Sequence, residues 1–456
     1  MGFRLGLETT AARAVGRLSR AAKRGGGTTL PGKLLWKLDP RAVDELAARL
    51  RNGIALVSAT NGKTTTTAIA ARILGDEHRL AWNRAGANLL SGIGSALLST
   101  RDAGLGLFEV DEAALPEAIE RTRPRSIVLG NLFRDQLDRY GELELVAERW
   151  RAATAALSEE TWLVVNADDS VVADLADGRE RALRFGIDDP RHARPSLQHA
   201  ADSKYCLRCG APYAYAAAYV GHLGAYACPE CGHKRPALDV AARSIEFRGL
   251  WASRFQLVTP QGNVEVDLAL PGLYNVYNAL AAASLALSLG SSPDQIRTGI
   301  EAFSAAFGRF ERIGTGGKTV VLLLIKNPAG ANEVLQTLEL GGIPPVLVLA
   351  LNDAIADGQD VSWIWDVDFE PLLARAGHVV VTGARAEELA LRLLYGGLSH
   401  DRLEVLSSLE RALDRGLDLV EAGDELVVLP TYTAMLALRG ILTRRGLVPA
   451  YWKASP

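Results

Sequence analysis

Short, almost uninterrupted apolar runs recur along the first half of the chain. "IALVSAT" (54–60), "LGLFEVD" (105–111), "SIVLGN" (126–131) and "WLVVNADD" (162–169) each have the length and content of a buried strand. Between them, apolar residues return every three to four positions, as in "GKTTTTAIAARIL", where Ala and Ile fall on one helical face. Buried strands alternating with helices predict a parallel, doubly wound sheet. Between about 190 and 240 this rhythm breaks for a segment carrying Cys and Tyr. "SIEFRGLWASRFQLVTPQGNVEVDLALPG" then alternates residue by residue, predicting hairpins around a "TPQGN" turn. "NVYNALAAASLALSLG" reads as a helix stopped by its final Gly. From about 318 a second α/β unit begins, with strands predicted at "TVVLLLI", "PPVLVLALN", "HVVVTG" and "ELVVLP". The expected organisation is a helical leader over 1–50, a central unit over 51–315 with an insert at about 203–235, and a C-terminal α/β unit over 316–456.

A chain of 456 residues suits about three domains. Lys+Arg 50 against Asp+Glu 53 leaves no basic excess, which argues against a nucleic-acid partner. No apolar run approaches the ~20 residues of a membrane span, and the N-terminus has no signal-peptide core. The sequence therefore reads as cytoplasmic. Residues 9–24 fit either a solvated leader helix or a basic amphipathic helix lying on a membrane surface.

The chemistry starts at "VSATNGKTTTT", between a strand and a helix. It follows the P-loop pattern G-x-x-x-x-G-K-[ST], except that Val57 holds the first Gly position. Gly62 lets backbone N–H groups approach a phosphate, Lys63 neutralises its oxygens, and Thr64 can hold Mg²⁺; Asn61 and Thr65 complete the predicted ATP-binding loop. Glu109, Asp111 and Glu112 in "FEVDEA" follow the next strong strand. A carboxylate at a strand's carboxyl end can share the Mg²⁺ with Thr64.

All four cysteines fall in Cys206-x2-Cys209 and Cys228-x2-Cys231, with Gly210 and Gly232 after each pair. This spacing predicts a closed four-thiolate shell for a structural Zn²⁺. If zinc takes all four, the chain has no cysteine nucleophile of its own.

The motifs "ATNGKTTTT", "FEVDEA", "GNLFRDQLDRYGELE", "VVNADDS", "LPGLYNVYNALAA" and "FGRFERI" stand in the order found in Mur ligases, and over residues 50–315 the chain resembles that family. The four-cysteine insert and the tail "LNDAIADGQDVSWIWDVDFE" are similar, more narrowly, to its amidating MurT branch. The resemblance implies a Mur-ligase-like P-loop central domain with a parallel sheet and an inserted zinc ribbon, followed by a Rossmann-like α/β domain. It implies an ATP-, Mg²⁺- and Zn²⁺-containing ligase that converts the D-glutamate α-carboxyl of lipid II to D-isoglutamine through an acyl phosphate. Ammonia would come from a GatD-type glutamine amidotransferase in a heterodimer working at the inner membrane face. Carried over by motif, Glu109 and then Glu112 are the second Mg²⁺ ligands. Asn275, with Asn278 beside it, faces the adenine, Arg309 approaches the nucleotide from the domain boundary, and Asn83 and Asn88 lie towards the substrate.

The sequence departs from the amino-acid-adding members in three places. Gln136 replaces a histidine, Arg149 stands where a modified lysine is common, and "IKNPAG" replaces D-Y-A-H-x-P. The rival reading is an amino-acid ligase of Mur or folylpolyglutamate type, which needs an amino-acid carboxylate clamp that the C-terminal unit does not show. The acidic run Asp353, Asp357 and Asp360 follows a predicted buried strand. The resemblance implies that one of these, Asp357 first, then Asp353 and Asp360, is lent to the partner's Cys–His pair. Trp363 and Trp365 are expected to anchor the run to the core.

Overall fold

The structure, a computed structural model, describes residues 30–39, 41–83, 87–100, 102–135, 143–198, 201–303, 310–342 and 344–449. The leader segment 9–24, Gln136 and Arg309 lie outside the described residues.

Nine strands form the first sheet: β1 (Ile54–Ser58), β2 (Leu80–Trp82), β3 (Leu105–Glu109), β4 (Ser126–Leu129), β5 (Trp162–Asn166), β6 (Ala182–Ile187), β9 (Val240–Arg248), β10 (Ala252–Thr259) and β11 (Gly262–Leu268). Their order is β11-β10-β9-β6-β5-β4-β1-β3-β2. The members from β2 to β9 in that row pair in parallel, and β10 and β11 add an antiparallel meander at one edge. Every residue of β1, β3 and β4 is buried, which explains their unbroken apolar runs: helices cover both faces. β10 instead alternates between half-buried and buried residues, with one face outward. The long helix Leu273–Leu289 is buried along almost its whole length, running beneath β4–β6 and against the helix Lys63–Leu74. Its alanines let it lie close to the sheet. Its polar groups are paired internally, as where the Ser126 and Ser288 hydroxyls meet at 2.7 Å.

Between β6 and β9 the chain forms the hairpin β7 (Ala214–Val220) and β8 (Leu223–Ala227), flanked by the two cysteine pairs. The second sheet contains β12 (Phe310–Thr315), β13 (Lys318–Leu323), β14 (Val346–Ala350), β15 (His378–Thr382), β16 (Leu403–Val405) and β17 (Glu425–Pro430), in the order β12-β13-β17-β14-β15-β16. Only the β12–β13 pair is antiparallel. β12 was expected at the end of the central unit. It belongs to the second sheet because its alternating residues pair with β13 through a Gly316–Gly317 turn. The described part of the leader forms two short helices, Leu30–Leu38 and Ala42–Ala47. Among the described residues no helix is long and apolar enough to cross a membrane.

Candidate active site

The loop after β1 turns into the helix Lys63–Leu74 at Gly62, which holds a left-handed φ of 91°. A Cβ there would lie 1.9 Å from the Asn278 Oδ1, so both backbone conformation and packing demand glycine. Asn61 is fixed on both sides. Its backbone N–H donates to Asn131 Oδ1 at 2.9 Å, and its C=O accepts from Asn131 Nδ2 at 3.0 Å. Its side chain exchanges hydrogen bonds with Asn327 of the C-terminal unit, the Asn327 Nδ2 donating at 3.0 Å.

Lys63 is buried, and its ammonium donates to the Ala59 carbonyl and, at 2.7 Å, to Glu112 Oε2. Burial alone would lower its pKa. The carboxylates of Glu112, Glu109 and Asp111 outweigh that and hold it above the ordinary lysine value. For Glu112 burial works upward, but Lys63 and Lys326 pull it below the ordinary carboxylate value. Each partner thus favours the charged state of the other. Thr64 Oγ1 donates to Glu109 Oε1 at 3.1 Å, a hydroxyl and a carboxylate converging at the carboxyl end of β3. Hard oxygen donors so placed suit Mg²⁺. Thr65 is buried on the same turn.

Asn83, expected to face substrate, is buried. Its amide donates to the Glu109 and Ala87 carbonyls at 2.7 and 2.8 Å, and its Oδ1 accepts the Glu109 N–H. It therefore stitches the segment after β2 to the end of β3. Asn88 is half-buried next to it, its carbonyl accepting the Asp111 N–H at 2.9 Å. Asn275 and Asn278 lie one helical turn apart, Asn278 Nδ2 donating to Asn275 Oδ1 at 3.2 Å and Thr66 Oγ1 donating to Asn278 Oδ1. Arg149 is exposed, whereas its neighbour Trp150 reaches inward and donates from Nε1 to the Glu112 carbonyl.

A cleft of about 910 Å³, counted to its open mouth, runs from Asn61, Gly62 and Thr65 past Asn275, Asn278 and Tyr277 to Phe310, Lys326 and Glu333. It lies between the two sheets, so the C-terminal unit forms one wall. Lys326 donates to the Thr60 carbonyl at 3.2 Å and pairs with Asp135, bringing a second cation to the phosphate loop. Glu333, on the helix Pro328–Gly341, pairs with Arg194 of the central unit at 3.0 Å. Burial pushes its carboxyl up to about 7, and Arg194 only partly offsets this. Asn131, Lys326 and Glu333 carried no assigned role in the sequence reading. Asn131 could have been found as the polar residue ending a buried strand, and Glu333 as an acid on the apolar face of its helix.

The four cysteines converge, with all their Sγ atoms within 4.8 Å of one another. Cys206 and Cys231 lie 3.5 Å apart, Cys209 and Cys228 3.4 Å. Soft thiolates drawn from two CxxC turns fit a tetrahedral zinc shell. Tyr213, whose hydroxyl lies 2.7 Å from His233 Nδ1, packs beside them.

Two family models match: the MurT ligase C-terminal over residues 324–435 and the Mur ligase middle domain over residues 57–209. The lipid II isoglutaminyl synthase (glutamine-hydrolyzing) subunit MurT of Streptococcus pneumoniae is 33% identical, covering 97% of this chain and 99% of the relative. Its namesake in Staphylococcus aureus is 32% identical, covering 94% and 96%. The chain belongs to the MurT family of Mur ligases. Its fold is also that of a pseudomurein peptide ligase type C from Methanothermus fervidus, with a TM-score of 0.70 at 22% identity over 88% of this chain and 80% of that one.

Within the MurT-type C-terminal region, the acidic run leaves the carboxyl end of β14. Asp357 is buried; its two oxygens accept the N–H and the hydroxyl of Thr433 at the start of the helix Tyr432–Arg444. Asp353 is half-exposed and 3.6 Å from Arg385. Asp360 is exposed, and its pKa is lowered by the Ser362 hydroxyl and by the Ser362 N–H, which donates to it at 2.8 Å. Asp366 instead reaches Arg134 of the central unit at 3.7 Å. The two tryptophans divide. Trp363 packs against the core, but Trp365 is 49% exposed, edge-on to Tyr395.

Proposed function

We propose that the chain is the ATP-dependent synthetase subunit of a lipid II isoglutaminyl synthase. It would amidate the α-carboxyl of the stem-peptide D-glutamate with ammonia supplied by a GatD-type glutaminase, at the cytoplasmic face of the membrane. The observation that carries this is the phosphate loop with Lys63, Thr64 and Glu109 together, in a chain similar over nearly its full length to relatives bearing that name.

A carboxylate is a poor electrophile. In the first step its oxygen attacks the γ-phosphorus of ATP and the bond to ADP breaks, giving an acyl phosphate. In the second, ammonia adds to the acyl carbon, loses a proton, and phosphate leaves. Both steps concentrate negative charge beside the loop. Lys63, fixed in its cationic state by Glu112, and the N–H groups at the head of the helix Lys63–Leu74 oppose that charge. Lys326 adds a cation from the facing wall. Thr64 and Glu109 would hold Mg²⁺, which supplies further charge neutralisation on the phosphates. Asn275 and Asn278 stand on the cleft wall expected to meet the adenine. The four cysteines would hold zinc in a closed shell, which gives it a structural part.

The glutaminase would complete its Cys–His pair with an acid from the run after β14. Asp357 is the first candidate: Thr433 holds it rigid, and each oxygen keeps a further lone pair for an incoming histidine. Asp353 and Asp360 are the alternatives, and Ile355, Trp365 and Tyr395 form exposed apolar surface in the same region. The test measures ADP release and lipid II amidation with the partner present, using glutamine or ammonium. Asp357→Asn is expected to abolish glutamine-driven turnover and spare ammonium-driven turnover. Equal loss of both would remove Asp357 from this role. Turnover that depends on an added amino acid and ignores ammonium would establish the amino-acid ligase instead.

A further inference from the structure

Asp168 and Asp169 follow β5 as adjacent, fully buried acids. Asp168 accepts Arg235 Nη1 at 2.8 Å on one oxygen, and the Tyr277 hydroxyl at 2.6 Å and the Ile187 N–H at 2.8 Å on the other. Its backbone carbonyl accepts the Gly224 N–H from the hairpin between the cysteine pairs. A Cβ on Gly186 would fall 2.7 Å from Asp168 Oδ1, so the space around this carboxylate is fully committed. Asp169 accepts the Leu132 N–H at 2.9 Å, next to Asn131, which holds Asn61 of the phosphate loop, and lies 3.3 Å from the buried His222 of the hairpin.

Arg235 stands four residues beyond Cys231, and its own N–H donates to Tyr226 at 3.0 Å in β8. Tyr277 lines the nucleotide cleft, and the next residue, Asn278, is the one that packs on Gly62 and Thr66. A continuous chain of hydrogen bonds therefore runs from the cysteine insert through Arg235 and Asp168 to the helix that carries the adenine-side asparagines.

We propose that Arg235 is a positioning residue for the nucleotide site: through Asp168 and Tyr277 it sets the register of the helix Leu273–Leu289 against the phosphate loop. The four-cysteine insert is then a brace of the ATP site. This rests on the nucleotide-binding reading above. Arg235→Met leaves Asp168 a buried anion without its cation, and the carboxylate must find other partners or take up a proton. Tyr277→Phe removes one hydrogen bond and keeps the ring in place.

The experiment titrates a non-hydrolysable ATP analogue with Mg²⁺ into the full chain and its variants, alongside the KM for ATP, kcat and zinc content. Arg235→Met is expected to raise the analogue Kd and the ATP KM roughly tenfold, with kcat and zinc content near wild type. Tyr277→Phe should move both the same way by less, and Arg235→Lys should recover part of the loss. Because the two residues act in series, the double variant should bind no more weakly than Arg235→Met alone. If Arg235→Met does not fold, Tyr277→Phe decides. Wild-type Kd in the folded variants, with only a lower melting temperature, would overturn the inference, as would simple multiplication of the two effects in the double variant. Failure of the wild-type chain to bind the analogue would instead refute the nucleotide reading, and this inference with it.

Discussion

Glu333→Gln tests the cleft wall where the two sheets meet. The wild-type carboxyl is buried, and its pKa is raised from 4.5 to about 7. Arg194 lies 3.0 Å away, but it also donates to Gln336 and to the Tyr219 carbonyl, so its charge is shared. Burial therefore outweighs the ion pair. Between these two values the folded chain keeps a proton that the unfolded chain has released. Folding then takes up a proton, and stability falls as pH rises through the window. Above it both states are ionised, and the full penalty is about 3 kcal/mol at ~1.4 kcal/mol per pH unit. Glutamine keeps the shape and an oxygen for Arg194 but cannot titrate. Urea unfolding followed by circular dichroism, from pH ~5 to ~8 without nucleotide, should show the wild type losing about 2–3 kcal/mol relative to Glu333→Gln, since part of the penalty already applies at pH ~5. Parallel profiles, or a wild type that gains on the variant as pH rises, would refute the reasoning: Arg194 would then be holding an ordinary ionised carboxylate.

Gly62→Ala must place a Cβ against Asn278 at a left-handed φ, so it should cost about 1–2 kcal/mol of stability and weaken nucleotide binding at least ~10-fold. An analogue titration giving the wild-type Kd would contradict this. Glu109→Gln should raise the Mg²⁺ concentration needed for half-maximal ATP turnover roughly tenfold or more while the fold is kept; an unchanged Mg²⁺ curve would take Glu109 out of the metal site. Cys206→Ser should lower bound zinc from about one per chain, by metal analysis, and lower the melting temperature; a wild-type chain that copurifies without zinc would refute the metal reading.

Much of this was legible along the chain. The stretches 54–57, 105–108 and 127–129 are apolar at consecutive positions, so neither face of the strand has a side chain suited to water, and that points to a helix-covered parallel sheet. The spacing of the four cysteines and the G-K-T turn are local patterns whose chemistry is complete within a few residues. β2 and β16 escaped because three residues carry too little periodicity to register, and residues 310–315, included in the central unit, pair instead with β13 because strand pairing is a long-range choice.

The sequence by itself determined which groups are available: a lysine and a threonine after a buried strand, acids after the next, four thiols in two pairs. Only the tertiary structure decided how they are used. Asn83, expected to lie towards the substrate, is buried and clamps the end of β3, because β2 and β3 pair in parallel and bring its amide onto the Glu109 backbone. Lys326 and Glu333 join the cleft from more than 200 residues beyond the phosphate loop, because the second sheet closes over the first. Asp168 links the cysteine insert to Tyr277 across 109 positions of sequence. Such assignments depend on which groups meet once water is excluded, and that is a property of packing, not of any local pattern.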